Sequence, residues 1–123
     1  MTPFGAKVRD LRRKREVTLK EMAAELQVSS AYLSALEHGK RGRPTWFMVQ
    51  RIIGYFNVIW DEAEELQRLA EVSDPRVTVD TAGLEPEATE LANLLSLKIH
   101  GLSKTSLDHI LHQVRVAAAK DGV

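Results

Sequence analysis

The sequence predicts an all-α protein, with five helices in the first 71 residues and a helical pair at the carboxyl end. Three observations predict it. Glycine and proline are few, seven and four in 123 residues. Apolar residues recur at helical spacing rather than alternating, and the apolar stretches are bounded by residues suited to cap or terminate a helix. Hydrophobic residues make up 44% of the chain, enough for a packed core. The length fits one ordinary domain with a small appendage.

Phe4, Val8 and Leu11 recur at i, i+4 and i+7, giving a first helix from about Pro3 to Arg15, with Pro3 suited to its first turn. Thr18-Leu19-Lys20-Glu21 reads as a capping box, in which the Thr hydroxyl takes an orphan amide and the Glu side chain reaches back to the cap. The second helix it opens runs to about Leu26 and buries Met22, Ala23 and Leu26. Ser29 caps a third helix with Leu33 and Leu36 inward, and Gly39 is a left-handed terminator.

Residues 40–43 form a basic loop, and Pro44 opens a fourth helix with Met48, Val49, Ile52, Ile53 and Phe56 apolar, ended by Asn57. Trp46, Phe47, Tyr55, Phe56 and Trp60 cluster around it, with core packing as their default place and a dimer or partner surface as the other. A fifth helix covers roughly Asp61–Glu71, with Ala63, Leu66 and Leu69 inward. Ser73 to Gly83 is a break carrying Asp74-Pro75, in which Val77-Thr78-Val79 is a candidate for a very short strand. Two helices follow, after Pro86 with Ala88, Leu91, Leu94, Leu95 and Ile99, and after Ser103 with Leu107, Ile110, Leu111, Val114 and Ala117. The organisation expected is a domain over 1–71, a linker over 72–83 and a helical segment over 84–123. The apolar stripes of the last two helices need burial. Either they fold back on the domain or, the favoured reading, they meet a second copy through Leu91, Leu94, Leu95, Leu107, Ile110, Leu111 and Val114.

Composition excludes several classes. The chain has no cysteine, which removes disulfides, thiolate nucleophiles and cysteine-ligated zinc. No apolar run approaches the ~20 residues that span a bilayer, and the first residues turn basic without a signal-like apolar stretch. The expectation is a soluble, cytoplasmic protein with no membrane partner. Lys+Arg and Asp+Glu number 17 each, so net charge is zero. The cancellation is not local. Residues 1–45 carry ten basic and five acidic side chains, residues 46–74 two and six, and residues 75–123 five and six. A basic first third is joined to an acidic middle, and its cations fall at 7–15 and 40–43.

A short polar-faced helix behind a second one, joined by a three-residue turn, is a helix-turn-helix. A major groove about 12 Å wide admits such a helix, with its N-terminal side chains nearest the base edges. Ser29, Ser30, Ala31 and Ser34 lie there, small and neutral, and Lys40, Arg41 and Arg43 follow where phosphates would pass.

On these residues the chain resembles a known family. Residues 4–57, and on to Leu69, are similar to the five-helix, lambda-repressor-like DNA-binding domain of phage Cro and repressor proteins, also called xenobiotic-response-element-like (XRE) regulators, which implies a regulator of bacterial or phage type acting at the nucleoid. The matching stretch runs from Val17 to Lys40, and Leu33-x-x-Leu36-Glu37-x-Gly39 within Tyr32–Lys40 is its most specific part. The resemblance implies a buried salt bridge between Arg12 and Glu37. It places Ser30, Ala31 and Ala35 at bases, and Thr18, Lys20, Lys40 and Arg41 near phosphates, with Arg13 also on the DNA side. It leaves Tyr32 either packed or touching the backbone. Gln27 stands where the family's turn usually has glycine, and Leu19 where it often has glutamine. With only Ser and Ala at the bases, thymine methyl contacts or readout of DNA shape gain weight.

The function expected is therefore sequence-specific DNA binding by a transcriptional regulator, repressor or activator, acting as a homodimer on double-stranded DNA. No enzymatic activity and no cofactor are expected. The alternative is an antitoxin whose residues 72–123 wrap a toxin, and a remote one is a small metal-dependent hydrolase. For the latter, His109-x-x-His112 shares one helical face beside Asp108 and His100, but a third fixed ligand is not evident. Asp61-Glu62-x-Glu64-Glu65 either favours its helix N-terminus or touches RNA polymerase.

Overall fold

The computed structural model describes Met1–Val123 and contains seven α-helices and no strand. They are α1 Pro3–Lys14, α2 Leu19–Glu25, α3 Ser30–His38, α4 Trp46–Phe56, α5 Trp60–Glu71, α6 Pro86–Lys98 and α7 Lys104–Asp121, with a 3₁₀ turn at Ile99–Gly101. The chain divides into two compact units, Met1–Val77 and Thr78–Val123.

The first unit is punctuated by caps. Thr2, Thr18, Ser29 and Thr45 each accept a hydrogen bond from an amide in the first turn of the helix they precede. At Thr18 the capping box is complete in both directions. The helices end in paired bonds around a left-handed residue. Glu16, Gln27, Gly39 and Asn57 have φ of 54°, 58°, 77° and 53°, and the residue after each donates back to a carbonyl of the closing turn. Pro44 lies outside α4 rather than opening it. It is buried, and Thr45 takes the cap instead.

The core consists of Phe4, Val8 and Leu11 from α1, Met22, Ala23 and Leu26 at α2, and Leu33 and Leu36 from α3. Met48, Val49, Ile52 and Phe56 from α4, Val58, and Leu66 and Ala70 from α5 complete it. Of the five aromatics around α4, Phe56 is buried and Tyr55 half-buried, but Trp46, Phe47 and Trp60 are 67%, 75% and 80% exposed. Helical period explains the correction. Met48, Val49, Ile52 and Phe56 already fill the inward stripe of α4, so Trp46 and Phe47 project from its first turn. Trp60 heads α5 at φ 53°, a strained conformation for a bulky residue.

The closest packing lies between the ends of α1, α3 and α5. The Thr2 amide and hydroxyl both donate to the Glu37 carbonyl, at 3.2 and 3.3 Å. A Cβ on Gly5 would overlap that same carbonyl, so only glycine lets the helices approach so closely. The Ser73 hydroxyl accepts from the Phe4 amide at 2.9 Å and donates to the Leu69 carbonyl, joining the exit of α5 to the entry of α1. Arg12 grips Glu37 with two parallel bonds, Nε to Oε2 and Nη2 to Oε1, both 3.1 Å. The two side chains retain only 13% and 4% of their exposure. Lys7 bridges α1 to Glu62 and Glu65 of α5.

In the second unit neither α6 nor α7 buries any residue. Leu91, Leu94, Leu97, Leu107, Leu111 and Val114 are each between 39% and 74% exposed, while Leu95 and Ile110 are half-buried. Residues 77–79 form no strand, and Val77 and Val79 are exposed.

Two stability outcomes follow from this packing. Removing one partner of the Arg12–Glu37 pair leaves an uncompensated buried charge, so Glu37→Ala lowers unfolding free energy by about 3–5 kcal/mol. The double variant Arg12→Met/Glu37→Leu recovers much of that loss, as urea titrations of the three proteins would show. At α5 the extended N-cap residue Ile59 is 65% exposed and makes no cap bond. Ile59→Asp supplies that bond and a charge suited to the helix dipole, raising stability by roughly 1 kcal/mol. An unchanged urea midpoint would contradict this.

Candidate nucleic-acid interface

Two short helices and a tight turn build the site. Helix α2 starts at the Thr18 capping box and closes at Gln27, whose amide bonds to the Ala24 carbonyl while Val28 reaches Ala23. Gln27 thus takes the left-handed conformation usually given to glycine, and the paired bonds hold it there. The Arg51 guanidinium of α4 donates to the Leu26 carbonyl, securing the same turn from below. Leu19 is half-buried against the core, so its apolar side chain serves packing where a glutamine would have stayed polar.

Helix α3 then begins at Ser29, whose hydroxyl accepts from the Tyr32 amide at 3.0 Å. Leu33, Leu36 and Glu37 face inward. Ser29, Ser30 and Ala31 are exposed, with Ser34 and Ala35 half-buried, so the residues expected at base edges share the outward strip of one helix. Gly39 closes α3, and a Cβ there would overlap the Thr2 methyl, so both its positive φ and its packing call for glycine.

Lys40, Arg41 and Arg43 emerge immediately after it, all exposed and none in an ion pair. Thr18, Lys20 and Arg13 are also exposed, at the start of α2 and the end of α1. Arg12 and Glu37 are a structural pair behind the strip. Tyr32 is half-buried against the core, and the Arg41 guanidinium lies over its ring, 4.9 Å from the centroid. The sequence left Tyr32 either packed or touching the DNA backbone and placed Arg41 near the phosphates. The signal for their pairing is a tyrosine in the first turn of α3 and an arginine just past its terminator.

The remaining features lie apart from this strip. Burial, with Glu25 and Glu21 close by, raises the Tyr55 phenol above its ordinary pKa. His109 and His112 are exposed on α7, and no three His, Asp or Glu side chains are grouped to hold a metal. No helix is long and apolar enough to cross a membrane.

A family model described as a helix-turn-helix domain matches residues 3–69. The chain is 36% identical over 61 residues to the uncharacterized HTH-type transcriptional regulator RghRB of Bacillus subtilis (strain 168), a match covering 50% of this chain and 44% of that protein. It is 28% identical over 102 residues to the HTH-type transcriptional repressor RghR of the same organism, covering 80% of this chain and 76% of that protein. The chain thus spans under half the length of the first of these relatives. No solved structure matches significantly. With the family model spanning α1 to α5 and more than half of its residues, the chain belongs to the helix-turn-helix domain family.

Proposed function

We propose that the protein is a sequence-specific DNA-binding transcriptional regulator that acts on operator DNA as a homodimer, in the cytoplasm and at the nucleoid. The observation that carries this reading is the outward strip of α3. Ser29, Ser30 and Ala31 stand exposed in its first turn, and the unpaired cations Lys40 and Arg43 follow its terminator. A helix with small neutral side chains enters a major groove without stranding a desolvated charge, while cations at its margin meet the phosphates that fix its register. Thr18, Lys20 and Arg13 extend the same margin. The relatives' names support regulation of transcription, and RghR is named a repressor.

Dimerisation rests on the second unit. Two helices that bury no residue of their own still present Leu91, Leu94, Leu107, Leu111 and Val114 to solvent. An apolar surface of that kind is completed by a partner. A second copy supplies the two-fold symmetry that matches half-sites about 34 Å apart.

Fluorescence anisotropy on fragments of the source genome tests the reading. Affinity should fall steeply with salt, by about 0.9 in log–log slope per phosphate neutralised. Binding indifferent to both salt and sequence would sink it. Ala31→Glu places a carboxylate in the groove and should abolish specific binding with an unchanged circular-dichroism spectrum. Arg43→Ala should weaken binding to all sequences alike and reduce the salt slope by about one unit. Leu94→Glu/Leu111→Glu should convert the dimer to monomer in sedimentation. It should cost affinity for a full operator far more than for a half-site.

A further inference from the structure

The outward strip of α3 lacks a side chain able to pair with a base in two places. Ser29, Ser30 and Ser34 offer single hydroxyls, and Ala31 and Ala35 offer methyls. One planar, two-pronged donor is nevertheless held beside it. Tyr32 lies in the first turn of α3, the end of such a helix that comes nearest the base edges. Arg41 departs from the opposite end of that helix, two residues beyond Gly39. Its guanidinium rests 4.9 Å from the Tyr32 ring centroid. The side chain therefore runs back along α3 instead of out from the loop tip. Tyr32 sits about 100° around the helix from Ala31 and about 60° from Ala35, at the margin of the strip.

Stacking on an aromatic face fixes the plane of a side chain that would otherwise sample many rotamers. A held fork can grip a phosphate as well as a base, but Lys40 and Arg43 already stand exposed for the phosphates, and the first turn of α3 is the part nearest the base edges. A fixed fork suits guanine, whose O6 and N7 accept a bidentate pair in the major groove.

We infer that Arg41, positioned by the Tyr32 ring, reads a guanine at the edge of each half-site. The inference rests on the DNA-binding reading above and names a feature of the operator. Its test uses the operator selected by the full-length protein, with each guanine replaced in turn by 7-deazaguanine, which lacks the N7 acceptor. At one guanine per half-site the replacement should weaken the unaltered protein about fivefold or more, and leave Arg41→Ala unaffected. Arg41→Ala should lose its preference at that position while keeping its salt slope. Tyr32→Phe retains the ring and should discriminate like the unaltered protein, whereas Tyr32→Leu, shown folded by circular dichroism, should approach Arg41→Ala. The inference is overturned if Arg41→Ala weakens all sequences alike and lowers the slope by about 0.9, the signature of a phosphate contact. It is equally overturned if Tyr32→Leu discriminates normally. Both of those outcomes leave DNA binding intact. Failure of the unaltered protein to select any sequence would instead overturn the functional reading and this inference together.

Discussion

Glu37 is the residue on which the geometry of the first unit turns. Its carboxylate takes both prongs of Arg12 from α1, and its backbone carbonyl takes both donors of Thr2. The same carbonyl fills the space that a side chain on Gly5 would need. All of this happens in the last turn of α3. A helix of nine residues is too short to hold itself in water, and its direction is set by what grips its ends. Here the grip is a buried, bidentate ion pair, whose net stabilisation is small but whose geometry is exacting. The direction of the outward strip is thus fixed from behind by residues that never reach it.

The ends of the helices carry the other half of the constraint. Left-handed residues close α1 through α4, and only one of the four is glycine. A side chain in that conformation costs of order 1 kcal/mol or more. At Glu16, Gln27 and Asn57 the cost is offset by two backbone bonds that satisfy carbonyls otherwise stranded at a helix end. The turn between α2 and α3 is therefore held by backbone geometry, with the Arg51 bond to Leu26 reinforcing it. This is why Gln27 is tolerated at a position where glycine would be the easier choice.

Much of the fold was legible because its signals are local. The capping box at Thr18, the cap at Ser29, the terminator at Gly39 and the i, i+4, i+7 spacing of Phe4, Val8 and Leu11 involve neighbours in sequence. The sequence also paired Arg12 with Glu37, 25 residues apart, through the family resemblance and not through spacing. What escaped is non-local. The exposure of Trp46, Phe47 and Trp60 is the exception, since helical period already fills the inward stripe of α4 with Met48, Val49, Ile52 and Phe56, and the clustering of aromatics in sequence outweighed it. The double role of Ser73, tying Leu69 to Phe4 across 69 residues of sequence, has no local signature at all. In the candidate site the strip itself was readable from helical period. The return of Arg41 along α3 to Tyr32 was not, since it depends on where the loop after Gly39 directs a long side chain.

Charge and rigidity act together in such a molecule. The net charge is zero, so long-range attraction to DNA is weak compared with that of a uniformly basic protein. The basic side chains instead gather at the end of α1 and the loop after α3, and the acidic ones at the start of α5, where Lys7 engages Glu62 and Glu65. A polarised neutral body gains little from approaching a polyanion in an arbitrary pose. Its electrostatic gain comes only when the basic margin faces the phosphates, and short-range contacts from α3 are made in that same pose. Preorganisation then decides affinity, because each side chain already held in place forfeits less freedom on docking. The rigid placement of α3 by Glu37 and the neutrality of the whole chain favour the same result, binding that depends on correct docking more than on charge.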